Sequence, residues 1–379
     1  MADKHHSKNP NRHFHVAVAC GGTGGHVMPG LATAQALQQR GHTVTLWLTG
    51  KPVEDQSIAD WSGGIIRVPA RGFPTRPSPS GLMAAWKLHR AVNVCRQKML
   101  ESSPDVLLAM GSYASAGPVM AARKIGIPYV LHEANVLPGR AIRFLARRAA
   151  TVACHFDASR YYLPRRCTIK VTGMPLRSSL TMPAPEPLAH HFPGAARTIL
   201  IMGGSRGARA LNESATEAIG NLAARGFSVR VLHLTGSEDV EWVRERYADA
   251  AVPAWVEPFH NQMQELYALA DMAICRAGAS TCAELAHFGV PALMVPYPYA
   301  ANDHQTVNAR VLEKQGAADV VAESSLSVPW LVDYLEEMIQ NPERLDRMRT
   351  ALRDALPSDG ANALADLVLS VATARELDE

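Results

Sequence analysis

Two glycine-rich turns, each placed directly after a short apolar run, constrain the fold of this chain more than any other feature. The more informative one lies in RTILIMGGSRGARALN, residues 197 to 212. Residues 199 to 202 suit a strand that is buried on both faces, and Gly203, Gly204 and Gly207 let the backbone approach a ligand. Because a helix-compatible pattern follows, the turn presents free N–H groups and the positive end of a helix dipole, which suit a phosphate.

The segment HVAVACGGTGGHVMPG near the start of the chain repeats this plan. Residues 16 to 20 predict a strand, four glycines predict the turn, and residues 31 to 39 predict the helix. One such turn is weak evidence, because structural turns between strands and helices also use glycine. Two of them, about half a chain apart, predict an α/β protein with two Rossmann-like, doubly wound domains that face each other across a cleft.

Length and charge agree with this interpretation. A chain of 379 residues is too long for one ordinary core, so two domains are expected. The net charge of +3 gives no general electrostatic reason to expect nucleic acid as a partner. The six cysteines form no CxxC pair, and no run of about 18 apolar residues occurs. We therefore expect reduced cysteines, no export signal and no membrane span.

Composition also predicts the domain boundaries. The polar start indicates a disordered tail, and a stretch rich in proline and alanine indicates a linker near the middle. The helical pattern at the end of the chain breaks near Pro357 to Gly360, so a last helix could return to the first domain. The predicted units are a tail at 1–13, a first domain at 14–176, a linker at 177–196, a second domain at 197–355 and a terminal helix at 356–379.

Apolar periodicity predicts alternating strands and helices in both halves. Expected strands are 16–20, 43–48, 65–68, 105–110, 129–132, a pair within 151–175, 198–203, 228–235, 254–257, 272–275, 291–295 and 318–322. In the helix predicted at 82–100, Leu82, Trp86, Val92 and Met99 recur near helical spacing, which indicates a face turned to a core. The predicted helix 140–150 carries Arg140, Arg143, Arg147 and Arg148 beside apolar residues, and it either contacts anionic lipid or is a solvated surface.

Two polar segments predict ligand contacts. HEAN, residues 132 to 135, follows a predicted parallel strand, where open α/β sheets bind their ligands, although a plain polar loop is the alternative. In residues 272 to 298, a strand, a small-residue loop and a helix beginning near Thr281 again suit a diphosphate. Glu284 on that helix either complements the helix dipole or accepts ribose hydroxyls. No DxD pair occurs, so a carboxylate-held divalent ion is not expected.

Taken together, the motifs resemble those of a known family. GGTGGHVMPGLA, MGSYASAGP, HEAN, GMPLR, GGSRGARALN, CRAGASTCAEL and DHQTVNA occur in this order and are similar to the MurG family of bacterial glycosyltransferases. The resemblance runs from about residue 14 to about residue 370. It implies an inverting transferase of the two-domain GT-B type, which moves GlcNAc from UDP-GlcNAc to the C4 hydroxyl of MurNAc in lipid I and so makes lipid II for peptidoglycan.

The resemblance also implies the site residues. The expected donor contacts are Thr23, Gly24, Gly25, Asn135, Arg177, Ser205, His260, Ala279, Ser280, Thr281, Cys282, Ala283, Glu284, His304 and Gln305. His260 replaces an aliphatic residue that holds uracil through its backbone. Further departures from the family pattern are Ala134, Met174 and Ser112, where the family has glutamine, asparagine and glycine. Of these, Ala134 and Ser112 bear on the acceptor side.

For the acceptor, the resemblance implies a site near His26, Tyr113 and Glu133. An imidazole is well matched to deprotonating a hydroxyl near neutral pH, so His26 is the first candidate for the base and Glu133 the second. Helix N-terminal amides, Ser205 and Arg177 would stabilise the departing UDP in place of a metal, and no cofactor is expected. The implied partners are UDP-GlcNAc, lipid I, an anionic membrane surface, and proteins of cell-wall synthesis and division, at the cytoplasmic face of the inner membrane.

Other functions stay open at this point. A related GT-B enzyme or a UDP-GlcNAc epimerase would share the glycine-rich turns, but an epimerase would consume UDP-GlcNAc without a lipid acceptor. A nicotinamide dehydrogenase would need GxGxxG with an acidic residue about 20 positions on, and neither turn gives that spacing. A sugar-nucleotide sensor without catalysis is a further alternative, against which His26, Glu133 and Glu284 together argue.

Overall fold

The computed structural model describes residues 12–68, 79–181, 196–204 and 207–378 of the chain. Within these ranges, two parallel sheets form the centres of the two halves. The strands of the first sheet are β1 His15–Ala19, β2 Thr43–Leu48, β3 Gly64–Arg67, β4 Val106–Ala109, β5 Tyr129–Glu133, β6 Thr151–Cys154 and β7 Ile169–Val171. Those of the second are β8 Arg197–Met202, β9 Val229–Leu234, β10 Ala254–Glu257, β11 Met272–Cys275, β12 Ala292–Met294 and β13 Ala318–Val320.

Helices flank both sheets. The α-helices are α1 Gly24–Gln39, α2 Pro52–Ser57, α3 Pro79–Ser102, α4 Ala116–Ile125, α5 Arg140–Leu145, α6 Ser178–Thr181, α7 Arg209–Ala224, α8 Val240–Asp249, α9 Met263–Leu269, α10 Ala279–Phe288, α11 His304–Lys314, α12 Val328–Gln340, α13 Pro342–Ala355 and α14 Gly360–Asp378. Short 3₁₀ turns lie at Tyr113–Ser115, Ala146–Arg148, Asp157–Tyr162, Ala301–Asp303 and Glu323–Ser325.

The strand order explains where a ligand can bind. The first sheet has the order β3-β2-β1-β4-β5-β6-β7 and the second has the order β10-β9-β8-β11-β12-β13. In each sheet the order of the strands therefore reverses beside the strand that comes first in the chain. At such a switch point the loops after two neighbouring strands diverge and leave a crevice at the carboxyl ends of the strands. Both glycine-rich turns follow those first strands, which confirms the predicted pair of doubly wound α/β domains.

The terminal helix α14 packs on the first domain, as the sequence suggested. Leu364, Ala365, Val368 and Ala372 are buried in the core that α1 and the first sheet form. At the surface of the same contact, Arg40 pairs with Asp366 at 2.5 Å. Burial of four apolar side chains is the main stabilising contribution, because a partly exposed ion pair adds at most about 1 kcal/mol.

The chain passes between the halves at two places that touch each other. A Cβ on Gly173 would lie 2.7 Å from the carbonyl oxygen of Pro357, and a Cβ on Gly360 would lie 2.4 Å from that of Met174. Gly173 also has a φ of +80°, which favours glycine. The two crossings therefore run in backbone contact, and Met174 is buried between them.

The two halves also share a core. Val136 and Phe156, which belong to the first domain, are buried in a cluster that otherwise comes from the second sheet and its helices α9, α10, α11 and α13. Contacts between apolar side chains thus hold the two domains together where Val136 and Phe156 meet the second domain.

Three local predictions need correction. Helix α1 begins at Gly24 rather than near residue 31, because the low helix propensity of glycine hides its first turn in the sequence. Trp86 on α3 is 60% exposed, whereas Val92 and Met99 of the same predicted stripe are buried. The helix α2 was not predicted at all, since six residues carry little periodicity.

The predicted tail and linker fall mainly outside the described residues. Residues 1–11 and 182–195 are not described, whereas His13 contacts the Thr43 hydroxyl through its ring at 2.9 Å. The domain boundaries proposed from composition stay predictions.

Candidate active site

The first glycine-rich turn is held in shape by a buried carboxylate that the sequence analysis did not single out. Glu54 on α2 accepts the backbone N–H of Gly22 at 2.7 Å and those of Thr49 and Gly50 at 2.8 Å each. Although burial opposes it, hydrogen bonds from Thr49, Gly22 and Lys51 lower the pKa of Glu54 below its usual value. The ionised carboxylate thus fixes the turn that leads into α1, while the first N–H groups of α1, at Gly24 and Gly25, remain available.

His26 lies in the first turn of α1, at the carboxyl edge of the first sheet. Its Nδ1 contacts the Thr23 hydroxyl at 2.9 Å. Desolvation lowers the pKa of His26 to about 4, so the imidazole is neutral near pH 7. When Nδ1–H donates to Thr23, Nε2 is free to accept a proton as a general base requires, although the lowered pKa makes this ring a weaker base than an exposed imidazole.

Glu133, the second candidate for the base, accepts hydrogen bonds from the loop that follows β5. One carboxylate oxygen accepts the N–H of Asn135 and the other that of Gly139, both at 2.9 Å. Burial raises the pKa of Glu133 to about 7, although these hydrogen bonds act to lower it. The geometry gives Glu133 the task of shaping the loop from residue 133 to 139 that ends β5.

Tyr113 lies beside the first glycine-rich turn. Its hydroxyl accepts a hydrogen bond from the Lys51 ammonium group, which also lies 5.1 Å from the centre of the Tyr113 ring. Ser112, where the family has glycine, has a φ of +66° and ψ of 166°, a conformation that non-glycine residues rarely adopt. Its hydroxyl accepts the N–H of Ala114 at 3.2 Å and sits against Gly22.

The second glycine-rich turn lies at the carboxyl end of β8. Gly207 has a φ of +72°, and a Cβ there would lie 2.4 Å from the carbonyl oxygen of Thr235, so only glycine fits. Below the turn, the buried Asn212 donates to Thr235 and to Asp239, at 3.0 and 2.8 Å. Ser205, a predicted donor contact, lies outside the described residues.

The start of α10 offers unused backbone donors. The N–H groups of Ala279, Ser280 and Thr281 belong to the first turn, which has no intrahelical acceptors, whereas the N–H of Cys282 already donates to Gly278 at 2.9 Å. The side chains of Cys282 and Ala283 are buried. Of the predicted loop from 279 to 284, the first three residues and Glu284 thus present groups to a ligand.

Glu284 lies on the second turn of α10 and is half-buried. One of its oxygens accepts the Tyr267 hydroxyl at 2.8 Å. Burial raises the pKa of Glu284 above its usual value, while Tyr267 and the nearby charge of Arg177 oppose the rise. Since one carboxylate oxygen is held by Tyr267, the other can meet a ligand hydroxyl in a fixed position.

Gln305 and His304 order the loop after β12. The side-chain oxygen of Gln305 accepts the N–H of Tyr297 at 3.0 Å and that of Ala277 at 3.2 Å, which leaves its NH₂ group for a ligand. The His304 ring contacts the carbonyl oxygen of Ala301 at 2.8 Å. His260 lies apart from these residues, after β10, where its Nε2 contacts Glu265 at 3.1 Å.

Asn308 joins the two halves of the site; the sequence indicated it only as one of several polar side chains, in the stretch from residue 302 to 308, that suit sugar hydroxyls. Its oxygen accepts the N–H of Val136, and its NH₂ group donates to the side-chain oxygen of Asn135, both at 3.0 Å. The same NH₂ group lies 3.3 Å from the carbonyl oxygen of Ala277. Asn308 is fully buried, so it ties the HEAN loop of the first domain to the loop before α10 in the second.

The described part of the chain holds no cluster of three or more histidine, cysteine or acidic side chains that could bind a metal ion. None of its helices combines the length and the apolar character that crossing a bilayer requires.

Two facing Rossmann-like domains, with phosphate-suited helix N-termini on the second and a neutral histidine on the first, define the GT-B class of sugar-nucleotide enzymes. Comparison with known proteins identifies the family. Residues 16–154 match the glycosyltransferase family 28 N-terminal domain and residues 198–368 its C-terminal domain, so the chain belongs to this family.

Individual relatives agree. A UDP-N-acetylglucosamine–N-acetylmuramyl-(pentapeptide) pyrophosphoryl-undecaprenol N-acetylglucosamine transferase of Syntrophotalea carbinolica is 37% identical over 94% of this chain and 97% of its own length. One of the same name from Pseudomonas entomophila is 36% identical, over 94% and 98%.

Solved structures give the same result. Acinetobacter baumannii MurG has 31% identity and a TM-score of 0.77, and the match covers 94% of this chain and 99% of that one. A putative UDP-N-acetylglucosamine 2-epimerase from Listeria monocytogenes, at 14% identity and a TM-score of 0.73, shares the fold, with 97% and 98% covered.

Proposed function

We propose that this glycosyltransferase transfers GlcNAc from UDP-GlcNAc to the C4 hydroxyl of MurNAc in lipid I and thereby produces lipid II. The names of its relatives describe this transfer. The observation that carries the proposal is the Asn308 contact, since it brings the HEAN loop against the loop that precedes α10. A sugar bound there would lie between the two domains, as a transfer between two substrates requires.

The donor would bind to the second domain. The free N–H groups at the start of α10 and its dipole would accept the diphosphate, and Glu284 would accept hydroxyl groups of the ribose. Arg177, which lies near Glu284, would add a positive charge. The NH₂ group of Gln305 and the polar side chain of Asn135 suit hydroxyl groups of the sugar.

His26 would act as the base. Proton transfer from the acceptor hydroxyl to its free ring nitrogen would accompany attack of the oxygen on the anomeric carbon, and the bond to UDP would break on the opposite face. Its neutral state and its position at the mouth of the first glycine-rich turn favour it over Glu133, whose two oxygens already accept N–H groups.

Charge on the departing UDP would be stabilised by fixed protein groups. The amides at the start of α10 are already oriented, so they need no reorganisation as negative charge develops. We therefore expect turnover without an essential divalent ion.

Because the proposed acceptor is linked to a lipid, we expect the enzyme to act at the cytoplasmic face of the inner membrane. On the first domain, Met83, Trp86 and Phe144 are exposed by 55% or more, and Arg140, Arg143 and Arg147 lie on α5 or just beyond it. Apolar side chains beside arginines suit reversible binding to anionic lipid. Contact with proteins of cell-wall synthesis and division belongs to the same proposal.

The test is release of UDP from UDP-GlcNAc, measured with and without a lipid I analogue. A transferase releases UDP at a substantial rate only when the acceptor is present and yields a disaccharide. Consumption of UDP-GlcNAc that is independent of the acceptor would indicate an epimerase instead. Binding without turnover in both cases would indicate a sensor.

A further inference from the structure

A second concave site lies at the opposite end of the first sheet from the active site. It is a cavity of about 790 Å³ at the amino end of β5, bordered by the loop after α4, by the end of the 3₁₀ turn Ala146–Arg148 and by one side of α14. Ile127, Pro128, Val371 and Ala374 contribute apolar walls. The active-site crevice uses the carboxyl ends of the strands, so this cavity is separate from it.

Three guanidinium groups border the cavity, and none of the lining residues that the structure describes is acidic. Arg123 comes from α4, Arg148 from the 3₁₀ turn and Arg375 from α14. Among the described residues, no carboxylate forms an ion pair with Arg123 or Arg148, although most arginines of the second domain have such a partner. Arg375 donates to the backbone oxygen of Asp105 at 3.3 Å, which fixes its side chain at this end of the sheet.

Two of these arginines, the exposed Arg148 and the half-buried Arg123, act on the same tyrosine at the cavity. Burial raises the pKa of Tyr129, whose side chain lies at the base of the cavity, and the positive charges of Arg123 and Arg148 both oppose the rise. Two cations from different elements are thus close enough to act on one hydroxyl. That hydroxyl itself donates to the carbonyl oxygen of Leu145 at 2.9 Å.

A simpler role explains only part of this arrangement. Arg123 and Arg148 each lie in the last turn of a helix, where a cation complements the negative end of the dipole. Such a role needs neither a shared cavity nor a third guanidinium from a helix at the far end of the chain. Arg123 and Arg148 form no ion pair with a described carboxylate, so their positive charges repel each other and an anionic ligand would lower that repulsion.

We propose that this cavity binds a phosphate-bearing anion through Arg123, Arg148 and Arg375. Guanidinium groups bind phosphate oxygens in a planar, bidentate manner, and the apolar walls leave room for a small organic group attached to the phosphate. The phosphate belongs either to a free small molecule or to a lipid headgroup. Because α14 supplies one arginine, the bound anion also fastens the terminal helix to the first domain.

The experiment measures anion-dependent thermal stability of the full chain in saturating UDP, so that the active site is already occupied. Inorganic phosphate and glycerol 3-phosphate should raise the Tm of the wild type in a saturable manner. Arg148→Ala should weaken the apparent affinity by about tenfold or more, since one charge-assisted contact is lost. Arg147→Ala and Lys124→Ala remove the same charge from neighbouring residues that do not border the cavity, and they should leave the affinity unchanged within about threefold.

Vesicles distinguish the two sources of the phosphate. If a headgroup occupies the cavity, Arg148→Ala should weaken binding to phosphatidylglycerol vesicles more than Lys124→Ala does, while phosphatidylcholine vesicles bind neither variant. If a free molecule occupies it, the soluble phosphates alone should distinguish the variants.

The proposal is overturned if the soluble anions shift the Tm of wild type and Arg148→Ala equally, or shift neither, and the two variants also bind vesicles equally. A loss of stability in Arg148→Ala that does not depend on the anion would leave only the helix-dipole role.

Discussion

Replacing Asn308 by alanine should weaken the contact that holds the two domains together without unfolding either domain. The substitution removes the acceptor of the Val136 N–H and the donor to the Asn135 oxygen, both in a buried contact between the domains. Leaving a buried polar group unpaired costs about 1 to 3 kcal/mol, so the closed arrangement should lose about 2 to 6 kcal/mol relative to an open one. The two groups regain partners from water when the domains open.

The expected result is a loss of catalysis with little loss of donor binding. If only the closed arrangement is active, kcat/KM should fall by about 30-fold or more, since each 1.4 kcal/mol corresponds to a factor of ten. UDP affinity measured by calorimetry should change by less than about threefold, because the start of α10 keeps its own hydrogen bonds. Small-angle scattering should report a larger radius of gyration for Asn308→Ala.

Arg310→Ala is the matched control. Arg310 lies on the same helix, is exposed and pairs with Glu313, so its removal should leave kcat/KM and the radius unchanged. If Asn308→Ala retains wild-type kcat/KM, the contact does not govern closure. If UDP affinity and Tm fall together with activity, Asn308 supports the fold of the second domain rather than its position.

Four further outcomes are expected. His26→Ala should lower kcat by about 10² to 10⁴ with little change in UDP affinity, and a near-normal kcat would return attention to Glu133. Glu284→Ala should weaken UDP binding by about tenfold to a hundredfold and abolish discrimination against 2′-deoxy or 3′-deoxy UDP, whereas a helix-dipole role would leave that discrimination intact. Desolvation lowers the pKa of His132 to about 4 and those of His155 and His233 to about 3, so the unfolded chain binds more protons than the folded chain below pH 6.5. Between pH 7.5 and 5.5 these three histidines should lower the free energy of unfolding by about 4 kcal/mol, of which the raised pKa of Glu133 restores about 2 kcal/mol. A urea midpoint that does not fall over this pH range would contradict the prediction. Activity should survive a chelator of divalent ions, and a complete loss that metal restores would contradict the proposed stabilisation of UDP by backbone amides.

The sheet framework was predictable because buried parallel strands are continuous apolar runs. The predicted strands at 43–48, 254–257 and 272–275 match β2, β10 and β11 residue for residue. The predicted start of α1 was wrong because a glycine pair that begins at Gly24, with low helix propensity, forms its first turn. Trp86 was assigned to a core because helical spacing identifies an apolar face but not what covers it.

The site was predictable only where a residue sits on a recognisable turn. Glu54 has no motif around it, and its importance appears only when its carboxylate meets N–H groups as far away as Gly22. Asn308 was visible within a polar segment, but its partner Val136 is 172 positions away, and no local pattern carries that contact. Glu133 was predicted as a polar residue of the site, whereas its hydrogen bonds from Asn135 and Gly139 depend on how the loop folds back.

The paired crossings near Gly173 and Pro357 mean that the first domain is not a continuous piece of the gene. A fragment that stops after residue 176 would lack α14 and expose the apolar surface of α1 that Leu364 and Val368 cover. A fragment that starts at residue 197 would instead carry α14 with nothing to pack against. The core of the first domain is therefore built from two separate stretches of the chain, and the second domain lies between them in the sequence.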